Sequence, residues 1–150
     1  MGTCYKGTEE EIRALNTYIK LMRATESVTA RIHGYLKNDG LTISQLGVLE
    51  SLFHLGPMHQ REIGAKILKS GGNMTVVIDN LEKRGLVKRV RGENDRRFIT
   101  IHLTEEGNKL IDRIFPVHVA AVSSEFKRLD KAEMEELGRI CKKLGLKEVG

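Results

Sequence analysis

Apolar residues recur at three- and four-residue intervals along most of this chain, and the exceptions are two short stretches past its middle. From Glu9 to about Leu36 the residues Ile12, Leu15, Ile19, Met22, Ile32 and Leu36 mostly keep helical spacing. Thr8 with Glu11 three residues on forms a capping box at the start. The polar, β-branched run Thr25–Thr29 weakens the stripe, and Asn38-Asp39-Gly40 ends the helix. A second helix opens at Thr42 or Ser44, places Leu46, Leu49, Leu52 and Phe53 on one face, and stops at Gly56-Pro57. Ile63, Ile67 and Leu68 mark a third, after which Lys69-Ser70-Gly71-Gly72 reads as a turn whose Ser70 caps a fourth. There Met74, Val77, Ile78 and Leu81 fall at i, i+3, i+4 and i+7 and predict a buried stripe. Asn73, Thr75, Val76, Asp79, Asn80 and Lys83 are left facing outward, and Gly85 closes the helix as a left-handed cap.

The exceptions follow. Leu86–Arg91 and Arg97–Leu103 alternate in part and are rich in β-branched residues, and Gly92-Glu93-Asn94-Asp95-Arg96 between them predicts a β-hairpin with a charged tip. Helical spacing then returns. Thr104 caps a helix with Leu110, Ile111, Ile114, Phe115, Val119 and Val122, which Pro116 is expected to kink or break. Asp130 begins a last helix with Met134, Leu137, Ile140, Cys141 and Leu144 on one face and Gly145 at its end. The fold class is mainly α with a small β-hairpin wing: a winged helix-turn-helix DNA-binding region plus a helical dimerisation region. The expected division is an N-terminal helix over 1–40, the winged helix over 41–104 and C-terminal helices over 105–150, the outer helices serving as the dimerisation region. The flanking helices carry more apolar surface than a small winged helix can cover, which points to a second copy.

Charge sharpens this. Between His59 and Leu103 ten Lys and Arg stand against five acids, while the chain holds 25 and 20, so fifteen of each sign remain elsewhere. All the net positive charge sits in less than a third of the protein, as expected of a polyanion-binding module in a neutral frame. The second helix of the pair is narrow enough for a major groove, and the hairpin reaches phosphates or the adjacent minor groove.

The run LEKRGLVKR (Leu81 to Arg89), the Asp95-Arg96-Arg97 of the wing, and Ile101-His102-Leu103-Thr104-Glu105-Glu106-Gly107 resemble the MarR family of bacterial transcriptional regulators. LTISQLGVLESL (Leu41 to Leu52) is similar to the family's first supporting helix, and the likeness covers nearly the whole chain. The resemblance implies a two-fold dimer in which the N-terminal and last two helices interleave, presenting two recognition helices to a near-palindromic site. It implies that Arg97 enters a minor groove while Asp95 orients the wing tip. Arg91 and Arg96, and with them Lys88 and Arg89, read as phosphate contacts. Asn73, Thr75, Val76, Asn80 and Lys83 form a face chemically able to read bases, since Asn pairs with adenine and Val or Thr packs on a thymine methyl. Many family members carry Arg where Val76 stands, so their base preference does not transfer. Gln60, Arg61 and Ser70 are candidate backbone clamps.

Family members often hold small phenolic, quinone-like or other aromatic ligands near the winged helix, which makes Tyr18, Met22, His33 and His54, with Tyr35 and His118, candidate ligand residues. For any one of them a place in the core is the commoner role of such a residue. Cys4 lies in the N-terminal tail, and Cys141, on an apolar face, is expected to be inert packing; a thiol switch through Cys4 is an alternative reading. The His residues lack metal spacing, His118 having Val122 one turn on. No Gly-rich phosphate loop, nucleophile elbow or carboxylate pair suggests an enzyme, and no cofactor is expected. No run of about 18 apolar residues and no signal-peptide pattern occurs, so a cytoplasmic protein is expected. The reading is a repressor of double-stranded DNA targets released by a small aromatic effector; the alternative is a winged helix used for protein interaction.

Overall fold

The computed structural model describes residues 2–67 and 71–146. The elements in chain order are α1 (Glu9–Ile32), a 3-10 segment (His33–Asp39), α2 (Ile43–Leu55), β1 (Met58–His59), α3 (Gln60–Ile67), α4 (Gly71–Lys83), β2 (Val87–Arg91), β3 (Ile99–Leu103), α5 (Glu105–Phe126) and α6 (Lys131–Gly145). They form two compact units: Met1–Ile32 with Val119–Gly150, and His33–His118.

The unit His33–His118 has a closed core. Leu46, Val48, Leu49 and Leu52 of α2, Ile63 of α3, Met74, Ile78 and Leu81 of α4, Ile101 of β3 and Ile111 and Ile114 of α5 are buried together. Thr42 caps α2 in a full capping box with Gln45, so Thr42 and not Ser44 starts it. Val48 is buried on α2 where Phe53 was expected, and Phe53 is 36% exposed. The α2 stripe winds round with the 100° step per residue, and Phe53 falls at its edge against the His54 ring.

Gly85, at φ +72°, ends α4 as predicted. Its N–H bonds Glu82 O and that of Leu86 bonds Leu81 O, the Schellman pair that closes the helix. Buried Leu81 and Leu86 pack inside that turn. Thr104 caps α5, its Oγ1 accepting from Gly107 N. A Cβ on Gly107 would run into the Leu86 carbonyl, so only glycine lets α5 start this close to the strand entry.

The hairpin pairs Val87 with Leu103 through to Arg91 with Ile99. β3 begins at Ile99, two residues later than expected, because Phe98 N–H turns to Asp95 O and Phe98 O accepts from Gly92 N–H within the tip. The sheet has a third strand that the pattern did not predict: β1 pairs antiparallel on the free edge of β3, Met58 with Ile101 and His59 with Thr100. Two residues are too few to show an alternation.

Three boundaries also differ from expectation. The first α-helix stops at Ile32, and His33–Asp39 winds as a 3-10 segment ending at Gly40. Gly34 weakens the α ladder there, and Leu36 and Leu41 are buried where the segment closes. Gly71 and Gly72 lie in the first turn of α4 and not in the turn before it; Leu68, Lys69 and Ser70 lie outside the described residues. Pro116 does not break α5, which runs on to Phe126, since a proline removes one N–H while the ladder on either side is retained.

The other unit contains α1, the end of α5 and α6. Thr8 caps α1 reciprocally with Glu11, and Asp130 caps α6 with Glu133. Gly145 is the last helical residue of α6, and Leu146, in extended conformation, is the cap. Arg31 pairs with Glu125 at 2.9 Å. Among the described residues of this unit only Ile32 is buried, while Met134, Leu137, Ile140 and Leu144 are 40–67% exposed. No helix among the described residues is long and apolar enough to cross a membrane.

Candidate nucleic-acid interface

The outward face of α4 follows from its inward one. Met74, Ile78 and Leu81 are fully buried, so the 100° step of the helix turns Asn73, Val76, Asn80 and Lys83 to the opposite side, where all four are exposed. Two contacts fix this helix to its neighbours. Gln60 Nε2, at the start of α3, donates to Thr75 Oγ1 at 2.8 Å. On the other flank Arg89 of β2 spans Asp79 at 2.6 Å and Glu82 at 3.0 Å, and its backbone N–H donates to the second Glu82 oxygen at 3.1 Å. Arg89, whose sequence position suggests a phosphate contact, is thus occupied by two carboxylates and ties the wing to α4. The strand alternation puts Lys88 on the face opposite Arg89 and Arg91.

At the tip Asp95 Oδ1 accepts from the Arg97 N–H at 3.0 Å and from its Nε at 3.2 Å. These bonds hold the Asp95 carboxyl below the usual carboxylate range. They also fix the direction in which Arg97 leaves the backbone, while its side chain stays 92% exposed. Arg91 Nη1 donates to Arg96 O, so the wing arginines are ordered by the tip's own backbone. Between α3 and the wing lies a cleft of about 300 Å³ lined by His59, Gln60, Arg61, Arg89, Arg97 and Ile99, three guanidinium groups around one concavity. The Phe98 ring, 54% exposed, lies 5.4 Å from that of His59 beside it. Sequence reasoning missed Phe98 and the Gln60–Thr75 bridge, which join residues distant in sequence.

Residues 31–114, more than half of the chain, match the family of the transcriptional regulators SarA/Rot. The chain is 36% identical over 139 residues to the uncharacterized HTH-type transcriptional regulator YkoM of Bacillus subtilis, covering 92% of this chain and 90% of YkoM. It is 34% identical over 134 residues to the HTH-type transcriptional regulator MhqR of the same species, covering 89% and 92%. The chain is a MarR-type regulator of the SarA/Rot family. Among solved structures, the MarR family regulator AbsC of Streptomyces coelicolor matches with a TM-score of 0.78 at 26% identity over 93% of this chain and 95% of its own. The S. aureus MepR–DNA complex (TM-score 0.75, 20% identity, 93% and 97% covered) shares the fold. So does Bordetella bronchiseptica BpsR, whose DNA binding is regulated by 6-hydroxynicotinic acid (TM-score 0.83, 22% identity, 97% and 100% covered).

The candidate ligand residues of this MarR-type regulator separate. His33 and His54 belong to one ring cluster: His33 lies 5.6 Å from His118, His118 6.0 Å from Phe115, and Phe115 4.6 Å from His54. Tyr35 joins it 6.1 Å from His118. Tyr35 Oη and His118 Nδ1 are buried without a hydrogen-bond partner. Burial, followed by the charge of Glu50, pushes the Tyr35 hydroxyl up to about 12. Burial lowers His118, with Glu50 opposing and His33 adding to the shift. Tyr18 and Met22 lie on α1 in the other unit, 60% and 47% exposed. Cys4 and Cys141 are both free and exposed. Cys141 is therefore not buried packing: among the described residues nothing covers the α6 face that carries it. Among the described residues no three His, Cys, Asp or Glu are grouped to hold a metal ion.

Proposed function

We propose that this regulator is a cytoplasmic homodimeric repressor that reads a near-palindromic operator and leaves it when a small aromatic, phenolic or quinone-like ligand binds. The observation that carries the reading is the pairing, in one compact unit, of an outward polar face on α4 with an Asp95-held, solvent-directed Arg97 on the wing. In this reading α4 enters the major groove with Asn73, Thr75, Val76, Asn80 and Lys83 toward base edges. Arg97 enters the flanking minor groove, whose negative potential when narrow attracts a guanidinium. Asp95 positions Arg97. Arg61, Arg91 and Arg96 contact phosphates and Gln60 braces Thr75; Ser70, a further candidate backbone clamp, lies outside the described residues.

The exposed apolar faces of α1 and α6 support dimerisation, and two reading heads about one helical turn (~34 Å) apart match a palindrome. An aromatic effector is supported by the cluster around His33, Tyr35, His54 and His118, which offers ring faces and two unpartnered polar atoms, and by the ligand regulation of the fold neighbour BpsR.

The test is titration of a selected consensus duplex with wild type and Arg97→Ala at two salt concentrations. The variant is expected to lose about ten- to a hundredfold in affinity. A loss spread evenly over all sequences would instead make Arg97 a phosphate contact, and unchanged binding would remove its role.

A further inference from the structure

Val76 stands in the middle of the stripe Asn73, Val76, Asn80, Lys83, opposite the buried face of α4, and is 59% exposed. It is out of reach of the core, which Met74, Ile78 and Leu81 fill from the other side. A largely exposed valine gains little from burial, and β-branching lowers its helix propensity below that of alanine or the straight-chain polar residues. Neither packing nor helix formation accounts for it.

The chemistry of the major groove does. Of the four base edges there, only thymine presents a methyl group, and a branched apolar side chain is its complement. Asn80, one turn further along the same stripe, carries a carboxamide able to pair with N6 and N7 of adenine. Side chains one turn apart lie about 5–6 Å from each other, a separation that suits neighbouring base pairs. Val76 is also prearranged: in a helix it has one dominant rotamer. The Gln60–Thr75 bridge and the Arg89 clamp hold the helix beneath it.

We propose that Val76 is the thymine-reading residue of this regulator, packing on the 5-methyl group of one thymine in each half-site while Asn80 reads an adjacent adenine. This rests on α4 being the recognition helix. It gives the site a specificity class, an A·T step in which the thymine methyl itself is required.

The test uses the full chain and a consensus duplex selected with it from a random library, resynthesised with deoxyuridine replacing each thymine in turn. That change removes only the methyl group. In wild type, one position per half-site is expected to lose about fourfold in affinity, the worth of a methyl-sized contact. In Val76→Ala, which loses both γ-methyls, the same replacement should cost clearly less, and Val76→Thr, which keeps one γ-methyl, should retain most of the sensitivity. Wild type indifferent to every deoxyuridine, or Val76→Ala as sensitive as wild type, overturns the assignment. Asn80→Ala and Lys83→Ala separate the two levels. If they weaken binding while the deoxyuridine pattern fails, α4 reads DNA and Val76 does not read thymine. If no α4 substitution alters affinity, or no consensus emerges, the recognition-helix reading falls with it. Val76 is exposed, so its variants are expected to keep the wild-type circular dichroism.

Discussion

The two units of this regulator use their apolar residues in opposite ways. In His33–His118, Ile63, Met74, Ile78, Leu81 and Ile101 are fully buried, and each apolar stripe meets another within the same chain. In the other unit α6 carries as regular a stripe, yet its Leu137, Ile140 and Leu144 are 40%, 46% and 67% exposed. The first unit closes its own core; among the described residues the second leaves its α6 face open. Helical patterning tells where an apolar face lies, and only the fold tells whether the chain itself supplies what covers it.

The most direct way to break this comparison is to put charge on the open half. Leu137→Asp with Ile140→Asp is expected to yield monomers by analytical ultracentrifugation and to weaken binding to a palindromic duplex by about a hundredfold or more, because the second reading head is no longer linked to the first. A variant that stayed dimeric with full affinity would show that the α6 face is covered by something other than a second copy.

The closed half should respond differently. Ile78→Ala removes fully buried methyls from the core beneath α4 and is expected to destabilise the protein by about 2–5 kcal/mol in urea unfolding. The folded fraction should remain dimeric. A change in oligomeric state at low urea would mean that the core of His33–His118 also governs assembly.

Much of this was legible in the residues because the decisive signals are local. Met74, Ile78 and Leu81 of the α4 stripe, the Gly85 cap, the Thr8 and Thr104 caps, the start of α6 at Asp130 and the Asp95-Arg97 tip each involve residues within a few positions of one another and appear as expected, while Val77 of the same stripe is only partly buried. What could not be read is set by contacts distant in sequence. β1 exists because Met58 and His59 find the edge of β3, more than forty residues on. Arg89 looks like any basic strand residue until Asp79 and Glu82 are seen to hold it. Cys141 sits on an apolar face, and from pattern alone a covered face and an uncovered one are the same.

Arg89 offers a finer test within the closed half. Its side chain is 23% exposed and shared between two carboxylates, so Arg89→Ala is expected to lower stability by about 1 kcal/mol. The accompanying loosening of the wing should reduce DNA affinity no more than about fivefold. Arg89→Lys keeps the charge but not the fork that spans Asp79 and Glu82, and should fall between alanine and wild type. A loss in Arg89→Ala as large as that of Arg97→Ala, with a matching drop in salt dependence, would make Arg89 a phosphate contact after all.

The smallest effect, and the one most specific to the closed half, is its response to pH. His118 is buried enough that the folded chain resists protonating it, whereas the unfolded chain takes up a proton near 6.5. Between 6.5 and the lower folded value the unfolded state binds more protons, so stability is complete above 6.5 and is lost as the pH falls through that window. Tyr35 acts at the other end. Its hydroxyl ionises near 10 when unfolded and at about 12 when folded, so stability falls as the pH rises between the two. Nothing comparable is expected of the open half, where Glu136 and Arg139 shift through their mutual hydrogen bond at a fully exposed site that water screens. Replacing His118 with Phe should therefore flatten the acid limb of the stability profile measured by urea unfolding and leave the alkaline limb as it was. If both limbs changed together, the imidazole would be holding the Tyr35 ring in place; if neither changed, the acid sensitivity would belong to groups outside this cluster.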